Sequence, residues 1–334
     1  MRFNEQRMVG GDQGLVPDRL PGLSSKALFV ALVLLLAAGG YGSAQSLYKY
    51  RGTDGEWIYS DRPPDDGSMA EIRNLEKGEP ETVLAVKHSF EGRTVVLTAN
   101  NDFFAPVEID LEIKSIRGLQ YPDPDLELRW VVPPRSDMTL ITLDLLEDGS
   151  TPFLEYEYQY LAGDPDSYHR PSDAYRAPFA IATNYPVTQA FPEVATHTTP
   201  DSYYAIDLAM PIGTDIFAAR AGVVFDVASS NFRGGLDPER DGPAANVVRI
   251  MHDDGTYALY AHLNTNTIRV RPGDVVKRGE YIADSGNTGF SSGPHLHFAV
   301  LRNAGMRIES VSVMFQGADA NNVVPAVGMA LTAY

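Results

Sequence analysis

The 334-residue chain contains no cysteine. This absence excludes disulfide bonds, thiolate metal ligands, iron–sulfur clusters and cysteine nucleophiles. Any metal ion must therefore be bound by histidine, aspartate or glutamate side chains.

Basic side chains are also scarce. Lysine and arginine number 27 against 44 aspartates and glutamates, which gives a formal net charge of −17 at pH 7. Because an acidic surface repels phosphate backbones, we expect no nucleic acid among the partners.

Helical periodicity is lacking, and 29 glycines and 23 prolines break the chain into short segments. Frequent turns favour short strands over long helices. We therefore expect an all-β protein, with a C-terminal antiparallel β-sheet domain preceded by a small β-sandwich-like domain.

Long apolar runs are absent except for residues 27–38 (ALFVALVLLLAA), which follow Lys26. This run is short for a bilayer span of about 20 residues. Gly42 and Ala44 supply the small residues that a signal peptidase needs just before its cleavage site. We expect residues 1–44 to be a signal peptide and the protein to be exported to the periplasm. An uncleaved inner-membrane anchor remains the alternative, since a long polar stretch precedes Lys26.

Residues 45–64 contain two aromatic-rich stretches on either side of Asp54-Gly55. An Asp-Gly pair between alternating stretches predicts a β-hairpin. The segment resembles a small module that follows the signal peptide in many proteobacterial envelope proteins, and this likeness implies an envelope location.

Residues 65–176 hold 23 acidic and only 10 basic side chains. Alternation of period two, as in residues 107–113 (VEIDLEI), predicts a small β-sandwich-like domain at 65–165. The Pro-, Ser- and Asp-rich residues 166–178 predict a linker. Because no reactive constellation occurs in the acidic domain, we interpret it as a spacer or as a binding module for an envelope protein partner.

Residues 179–316 predict a second β domain, followed by a C-terminal tail at 317–334. Its main chemical signal is the pair His295 and His297, next to glycine-rich turns in SGNTGFSSGPHLHF. Alternate side chains of a strand share one face, so the two imidazoles are expected about 7 Å apart on one side.

Two further residues suit the same site. His262 ends an apolar strand (YALYAH), and Asp207 lies in an otherwise apolar strand (AIDLAM). A buried carboxylate needs a partner, and a divalent cation is the best one available here. His252 is interpreted as a hairpin residue beside Asp253-Asp254-Gly255.

Residues 185–302 resemble the LytM-type, lysostaphin-like zinc metallopeptidases of bacterial cell walls. The resemblance rests on five segments: IDLAMPIGT with AARAGVV, NVVRIMHDDG, YAHL, RPGDVVKRG and SGNTG…GPHLHF. It implies a Zn²⁺ cofactor, with Asp207 and His297 as ligands and His262 and His295 as acid–base catalysts.

The third zinc ligand of that family is a histidine that usually stands four residues before the aspartate. Tyr203 occupies this position here. We predict that His197 replaces the missing ligand, because Thr198 to Ser202 can loop out with favourable turn chemistry and the strand can resume at Tyr203. The alternative is that Tyr203 itself binds the metal.

The resemblance implies a zinc-dependent endopeptidase that hydrolyses the peptide cross-links of peptidoglycan, with the peptide stems as its substrate. Some LytM-like domains have lost zinc ligands and only activate cell-wall amidases. A non-catalytic activator or binding module is therefore the alternative function. We also expect the fragment that begins at Ala177 to fold alone.

Overall fold

The structure is a computed structural model that describes residues 8–11, 45–51, 57–60, 64, 69–75, 84–123 and 125–334. The chain divides into two compact units, one of residues 13–82 and one of residues 1–12 with 83–334. The apolar run at 27–38 and the cleavage site after Ala44 lie outside the described residues. Across the described part of the chain, no helix is both long and apolar enough to span a membrane.

The described residues of the small unit form a three-stranded antiparallel sheet. A strand of the other unit, β1 (Met8–Gly11), precedes it in the chain. The sheet consists of β2 (Gln45–Arg51), β3 (Trp57–Ser60) and β4 (Glu71–Leu75), with β2 in the centre. Strands β2 and β3 pair as the predicted hairpin requires, while its turn at 52–56 lies outside the described residues.

The acidic region forms two antiparallel sheets packed on one core. Its strands are β5 (Leu84–Glu91), β6 (Thr94–Asn101), β7 (Val107–Arg117), β8 (Arg129–Val132), β9 (Ser136–Asp144) and β10 (Phe153–Ala162). One sheet has the order β5-β6-β9 and the other β1-β10-β7-β8. Inward-facing residues of both sheets, such as Leu97, Ile109 and Tyr156, are buried together. This is the arrangement that period-two alternation produces when one face of each strand is apolar.

The C-terminal region is built on a large sheet. Its strands, with the short pairs around it, are β11 (Asn184–Gln189), β12 (Ile206–Ala209), β13 (Asp215–Phe217), β14 (Gly222–Ala228), β15 (Gly234–Gly235), β16 (Val247–Met251), β17 (Tyr257–Ala261), β18 (Val275–Val276), β19 (Tyr281–Asp284), β20 (Gly289–Phe290), β21 (His295–Asn303), β22 (Ile308–Val311), β23 (Phe315–Gln316), β24 (Asn322–Val323) and β25 (Ala330–Thr332). The order in the large sheet is β18-β14-β16-β17-β21-β12-β11-β25, and β22 pairs with β21. The helical segments are α1 (Pro238–Asp241) and two 3₁₀ turns, Gly242–Ala244 and Ala318–Ala320.

Both faces of the large sheet are buried at its centre. All five residues of β17 are buried, and the two faces belong to different cores. Tyr260 packs in the core of the C-terminal region, whereas Tyr257 and Leu259 pack in a second core with Ala105 and Ala162 of the acidic domain. A strand that is buried on both faces reads as a continuous apolar run without alternation, which explains the sequence YALYA.

A buried carboxylate joins the acidic domain to the end of β21. The Glu108 side chain is fully buried, and its Oε2 accepts hydrogen bonds from Asn303 Nδ2 at 2.7 Å and from the Met306 N–H at 2.8 Å. Asn303 Nδ2 also donates to the Gly163 carbonyl at 3.1 Å. The second core and these bonds argue against independent folding of a fragment that begins at Ala177.

Two segments expected to be linker and tail are packed against the sheet. In the expected linker, 166–178, the Tyr175 side chain is 1% exposed and lies with Tyr260 in the core of the C-terminal region. In the expected tail, 317–334, β25 pairs with β11 and Leu331 is buried. Proline, serine and aspartate content predicted the linker, but isolated apolar side chains anchor both segments, and composition alone does not show them.

Candidate active site

The centre of the site lies on two adjacent antiparallel strands. In the pairing of β12 with β21, Asp207 is directly opposite His297 and Ala209 is opposite His295. Leu296 and Phe298, which alternate with the two histidines, are fully buried on the other face of β21. The apolar face thus fixes the register, and the register brings His295, His297 and Asp207 to one side of the sheet.

Three side chains form a cluster that can hold a metal ion. One donor atom each of His197, Asp207 and His297 lies within 4.8 Å of the other two. His297 Nδ1 is 2.9 Å from Asp207 Oδ1, and His197 Nε2 is 3.3 Å from Asp207 Oδ2. All three side chains are at most 14% exposed.

His197 reaches Asp207 because the chain between them forms a turn. The Ser202 N–H donates to the Thr199 carbonyl at 2.9 Å, and the Ser310 N–H and hydroxyl both donate to the Pro200 carbonyl at 2.8 Å. Strand β12 begins at Ile206, so the expectation that the strand resumes at Tyr203 is wrong. The turn continues through residues 201–204 because the backbone is held there by these bonds.

Tyr203, the alternative ligand, is 42% exposed. Its ring lies against those of Phe191 and Tyr204, at centroid distances of 5.1 and 5.4 Å. The metal cluster therefore contains His197, the ligand predicted on the assumption that Thr198 to Ser202 loop out, and not Tyr203.

His262 and His295 lie beside this cluster. Their ring centroids are 4.5 Å apart, and the His262 and His297 centroids are 5.8 Å apart. His262 Nδ1 is 2.7 Å from the Thr288 carbonyl, and His295 Nδ1 is 2.8 Å from the Gly293 carbonyl. Each Nδ1 must donate its hydrogen to a carbonyl, which leaves Nε2 as the acceptor nitrogen in both rings.

The backbone at His262 is strained. Its φ is 61°, in the left-handed backbone region that residues other than glycine rarely adopt. The SGNTG turn is packed directly against the next residues: a Cβ on Gly286 would lie 2.6 Å from the Asn264 nitrogen. Glycine at this motif position lets the turn approach closely enough for Thr288 to accept the His262 bond.

Electrostatics favour the ionised form of Asp207 and the neutral forms of His262 and His297. Burial alone would raise the pKa of Asp207, but hydrogen bonds to His197 and His297 outweigh it and hold the pKa well below its ordinary value. Burial, followed by the neighbouring His295 and His297, lowers the pKa of His262 to about 3. Burial also lowers the pKa of His297.

Gln189 is a site residue that sequence reasoning missed. It lies opposite Asp207 in the pairing of β11 with β12, and its Nε2 donates to Asp207 Oδ2 at 2.5 Å. Its Oε1 accepts from the N–H groups of Ala195 and Thr196 at 2.8 and 2.9 Å. It thus fixes the carboxylate and the segment before His197 together. Only the strand pairing identifies it, because no motif marks a glutamine eighteen residues before the aspartate.

The remaining histidines lie elsewhere. His252 lies in the turn of the β16–β17 hairpin, which agrees with its interpretation as a hairpin residue. Its Nδ1 is 2.8 Å from the Ala221 carbonyl. His169 stacks on Tyr175, and His88 packs against Tyr156.

The residues present fit a Zn²⁺ ion. Two histidines and one carboxylate are a donor set typical of catalytic zinc sites, which keep a further position for water or substrate. The ligands also have the outer hydrogen bonds that orient such sites: His197 Nδ1 is 3.2 Å from the Ala205 carbonyl, and Gln189 binds Asp207.

Comparison with known proteins agrees with this geometry. Residues 201–309 match the model of Peptidase family M23. Lysostaphin of Staphylococcus staphylolyticus is 35% identical over 103 residues, which are 30% of this chain and 19% of lysostaphin. The peptidoglycan DD-endopeptidase ShyA of Vibrio cholerae serotype O1 is 31% identical over 153 residues, 45% of this chain and 32% of ShyA.

A solved structure is also similar to part of this chain. It is the catalytic domain of a mutant of the prophage-encoded M23 protein EnpA from Enterococcus faecalis, with 30% identity and a TM-score of 0.30 over 40% of this chain and 92% of that chain. The chain spans between about a fifth and a third of the length of the two curated relatives above.

His197 stands just before the matched residues, so the family match does not include it. The match and the His₂Asp cluster together confirm the Zn²⁺ cofactor expected from the sequence. The chain therefore carries, at residues 201–309, a zinc-metallopeptidase domain of peptidase family M23.

Proposed function

We propose that the protein is a zinc-dependent endopeptidase that hydrolyses the peptide cross-links of bacterial peptidoglycan. The observation that carries this proposal is the convergence of two further histidines, His262 and His295, on the His197–Asp207–His297 cluster. A site that only held a structural metal would have no need of two additional imidazoles with free acceptor nitrogens. The similarity to lysostaphin and to a peptidoglycan DD-endopeptidase supports the substrate class.

His197, Asp207 and His297 would hold the metal. When bound there, Zn²⁺ supplies Lewis acidity that polarises a scissile carbonyl and lowers the pKa of water toward neutrality. Gln189 keeps the Asp207 carboxylate in place, and the Ala205 carbonyl keeps the His197 ring in the orientation that directs Nε2 at Asp207.

His262 and His295 are assigned the proton transfers. Because each ring donates Nδ1–H to a backbone carbonyl, Nε2 is the nitrogen that accepts a proton from the attacking water. The same nitrogen, once protonated, can steady the oxyanion or donate to the leaving amine. The short distance between the two rings lets both act on one scissile bond.

The location and partners follow from the substrate. We propose that the protein is exported and acts in the periplasm on peptidoglycan peptide stems, either freely or held at the inner membrane by an uncleaved signal. An envelope protein partner for the acidic domain is part of this proposal, and nucleic acid is not. Residues 84–162 provide an acidic two-sheet surface for such a partner.

The test is digestion of isolated sacculi by the purified full chain. We expect soluble muropeptides with new free amino groups, and we expect a chelator to abolish their release. The matched control is His262→Ala, which should bind zinc and release none. Release of sugar reducing ends, or full activity in chelator, would contradict the proposal. A zinc-loaded chain that releases nothing by itself but stimulates a cell-wall amidase would favour the activator function instead.

A further inference from the structure

Three aromatic side chains cluster beside the metal ligands. Phe191 and Tyr203 are 41% and 42% exposed, which is unusual for large rings that also contact each other. The Phe191 centroid is 5.1 Å from those of both Tyr203 and Tyr204. Exposed apolar patches of this kind on a folded protein mark interaction sites more often than single exposed residues do.

The cluster is continuous with the active site through the backbone. Phe191 follows Gln189 by two residues, and Gln189 donates to Asp207. Tyr204 precedes Ala205, whose carbonyl is 3.2 Å from His197 Nδ1. The rings therefore stand on the two chain segments that hold Asp207 and His197 in place.

The segment is held rigidly. The Tyr204 N–H donates to Ser310 Oγ at 2.9 Å, and the Thr199 and Ser202 hydroxyls are 2.8 Å apart. The rings are thus preorganised, and a ligand would not need to order a flexible loop in order to bind.

Charge selects the kind of ligand. Residues 191–204 contain two acidic side chains, Glu193 and Asp201, and no lysine or arginine. An anionic ligand would be repelled at this surface. A neutral sugar would not be, and its pyranose ring offers a flat face of C–H groups that packs on an aromatic ring while tyrosine hydroxyls remain free for hydrogen bonds.

We propose that Phe191, Tyr203 and Tyr204 form a subsite for a neutral sugar ring of the peptidoglycan glycan strand. The proposal rests on the function proposed above, since it places the glycan beside the bond to be cut. The subsite positions the strand while the peptide stem reaches the metal cluster.

The first experiment measures binding without hydrolysis. The probe for peptide-free glycan is a neutral oligomer of N-acetylglucosamine, since stripped glycan strands carry a free carboxylate on each muramic acid. It is titrated into the full chain, and its dissociation constant is compared with those of Phe191→Ala and Tyr203→Ala. Each variant should bind about tenfold more weakly, because it loses one stacking ring. Tyr203→Phe should retain binding, since it keeps the ring. Tyr121→Ala, which removes a tyrosine of similar exposure from the acidic domain, is the matched control and should also bind normally.

The second experiment compares two cross-linked substrates, sacculi and a soluble peptide dimer without sugars. The kcat/KM of Phe191→Ala and Tyr203→Ala should fall about tenfold more on sacculi than on the peptide dimer, mainly through KM. Equal losses on both substrates, or unchanged glycan binding by both alanine variants, would overturn the subsite. The unfolding midpoint of each variant is compared with that of the wild type, so that a folding defect can be recognised.

The two proposals fail separately. If the wild-type chain cleaves neither substrate but binds the N-acetylglucosamine oligomer through the three rings, the subsite stands and the proposed function fails. If it cleaves both but does not bind the oligomer, the function stands and the subsite fails.

Discussion

The polar side chains at the two ends of β21 differ in exposure and in hydrogen bonding. At its beginning, His295 and His297 face Asp207, remain about 15% exposed, and hold donor atoms that a metal can use. At its end, Asn303 is fully buried, and its amide donates to Glu108 and to the Gly163 carbonyl. The first end collects polar groups for chemistry, whereas the second satisfies them with protein partners. One strand thus combines a reactive end and an anchored end.

The reactive end is broken most completely by removing a metal ligand. Asp207→Ala, His297→Ala and His197→Ala should each lose stoichiometric zinc, and hydrolysis should fall at least about 10³-fold because the Lewis acid is lost. Elemental analysis of the purified variants measures this. Tyr203→Phe is the control and should keep its zinc; if it loses zinc while His197→Ala keeps it, Tyr203 is the ligand.

Removing the acid–base groups should separate metal binding from turnover. His262→Ala and His295→Ala should keep zinc but lose about 10²- to 10⁴-fold in kcat, which is the usual contribution of a positioned proton-transfer group. Zinc content and kcat are measured on the same preparations. Equal zinc loss in these two variants and in Asp207→Ala would show that the division of roles is wrong.

The anchored end should respond in stability rather than in metal content. Glu108→Ala removes the acceptor of the Met306 N–H and leaves the buried Asn303 amide with the Gly163 carbonyl as its remaining acceptor, and it should lower the free energy of unfolding by about 2–3 kcal/mol. Urea unfolding measures the change. Glu112→Ala removes an exposed carboxylate from the same strand and should change it little. A Glu108→Ala variant as stable as Glu112→Ala would mean that this contact does not hold the acidic domain on the sheet.

A smaller effect on stability is expected at Asp254 in the β16–β17 turn, which accepts a hydrogen bond from Arg170 in the segment predicted to be a linker. Burial would raise the pKa of Asp254, but hydrogen bonds from Thr256, Arg220 and the Arg170 N–H outweigh it and hold the pKa well below the ordinary value. The ionised form therefore stabilises the fold, fully above the unfolded pKa of about 3.9 and less as pH falls below it.

Asp254→Asn should accordingly lower the free energy of unfolding by about 1 kcal/mol at pH 7. The difference from wild type should shrink as the pH falls from about 4 to about 2, since the folded pKa lies below the unfolded one. Urea unfolding at several pH values tests this, with Asp253→Asn, which removes the exposed second carboxylate on Arg220, as the comparison. A difference that stays constant down to about pH 2 would assign the effect to packing rather than to charge.

Local pattern predicted the reactive end well. Alternation placed His295 and His297 on one face, and an aspartate in an apolar strand indicated a metal partner; the pairing of β12 with β21 brings these residues together. The resemblance to LytM-type peptidases implied a third histidine ligand, and turn-forming residues between Thr198 and Ser202 allowed it to be His197, which the structure places in the cluster. The all-β fold followed from turn frequency and the absence of helical periodicity.

Local pattern could not predict the anchored end. Glu108 and Asn303 are 195 residues apart, and neither stands in a motif. An acidic residue in an alternating strand is expected to be exposed, so burial of Glu108 depends entirely on a partner from a distant part of the chain. Gln189 was missed for the same reason, since its importance comes from strand pairing. The shared core around Tyr257 likewise depends on Ala105 and Ala162, whose small size carries no signal by itself.

The turn between His197 and Asp207 has a consequence for chain entropy. Nine residues separate the two ligands, where a spacing of four would leave three. Closing the longer loop costs about 1 kcal/mol more in a flexible chain, because closure entropy grows with the logarithm of loop length. The bonds from Ser310 to the Pro200 carbonyl offset that cost by fixing the loop before any metal arrives. Zinc affinity should therefore depend on Ser310, a residue 103 positions beyond Asp207 in the chain that is not itself a ligand.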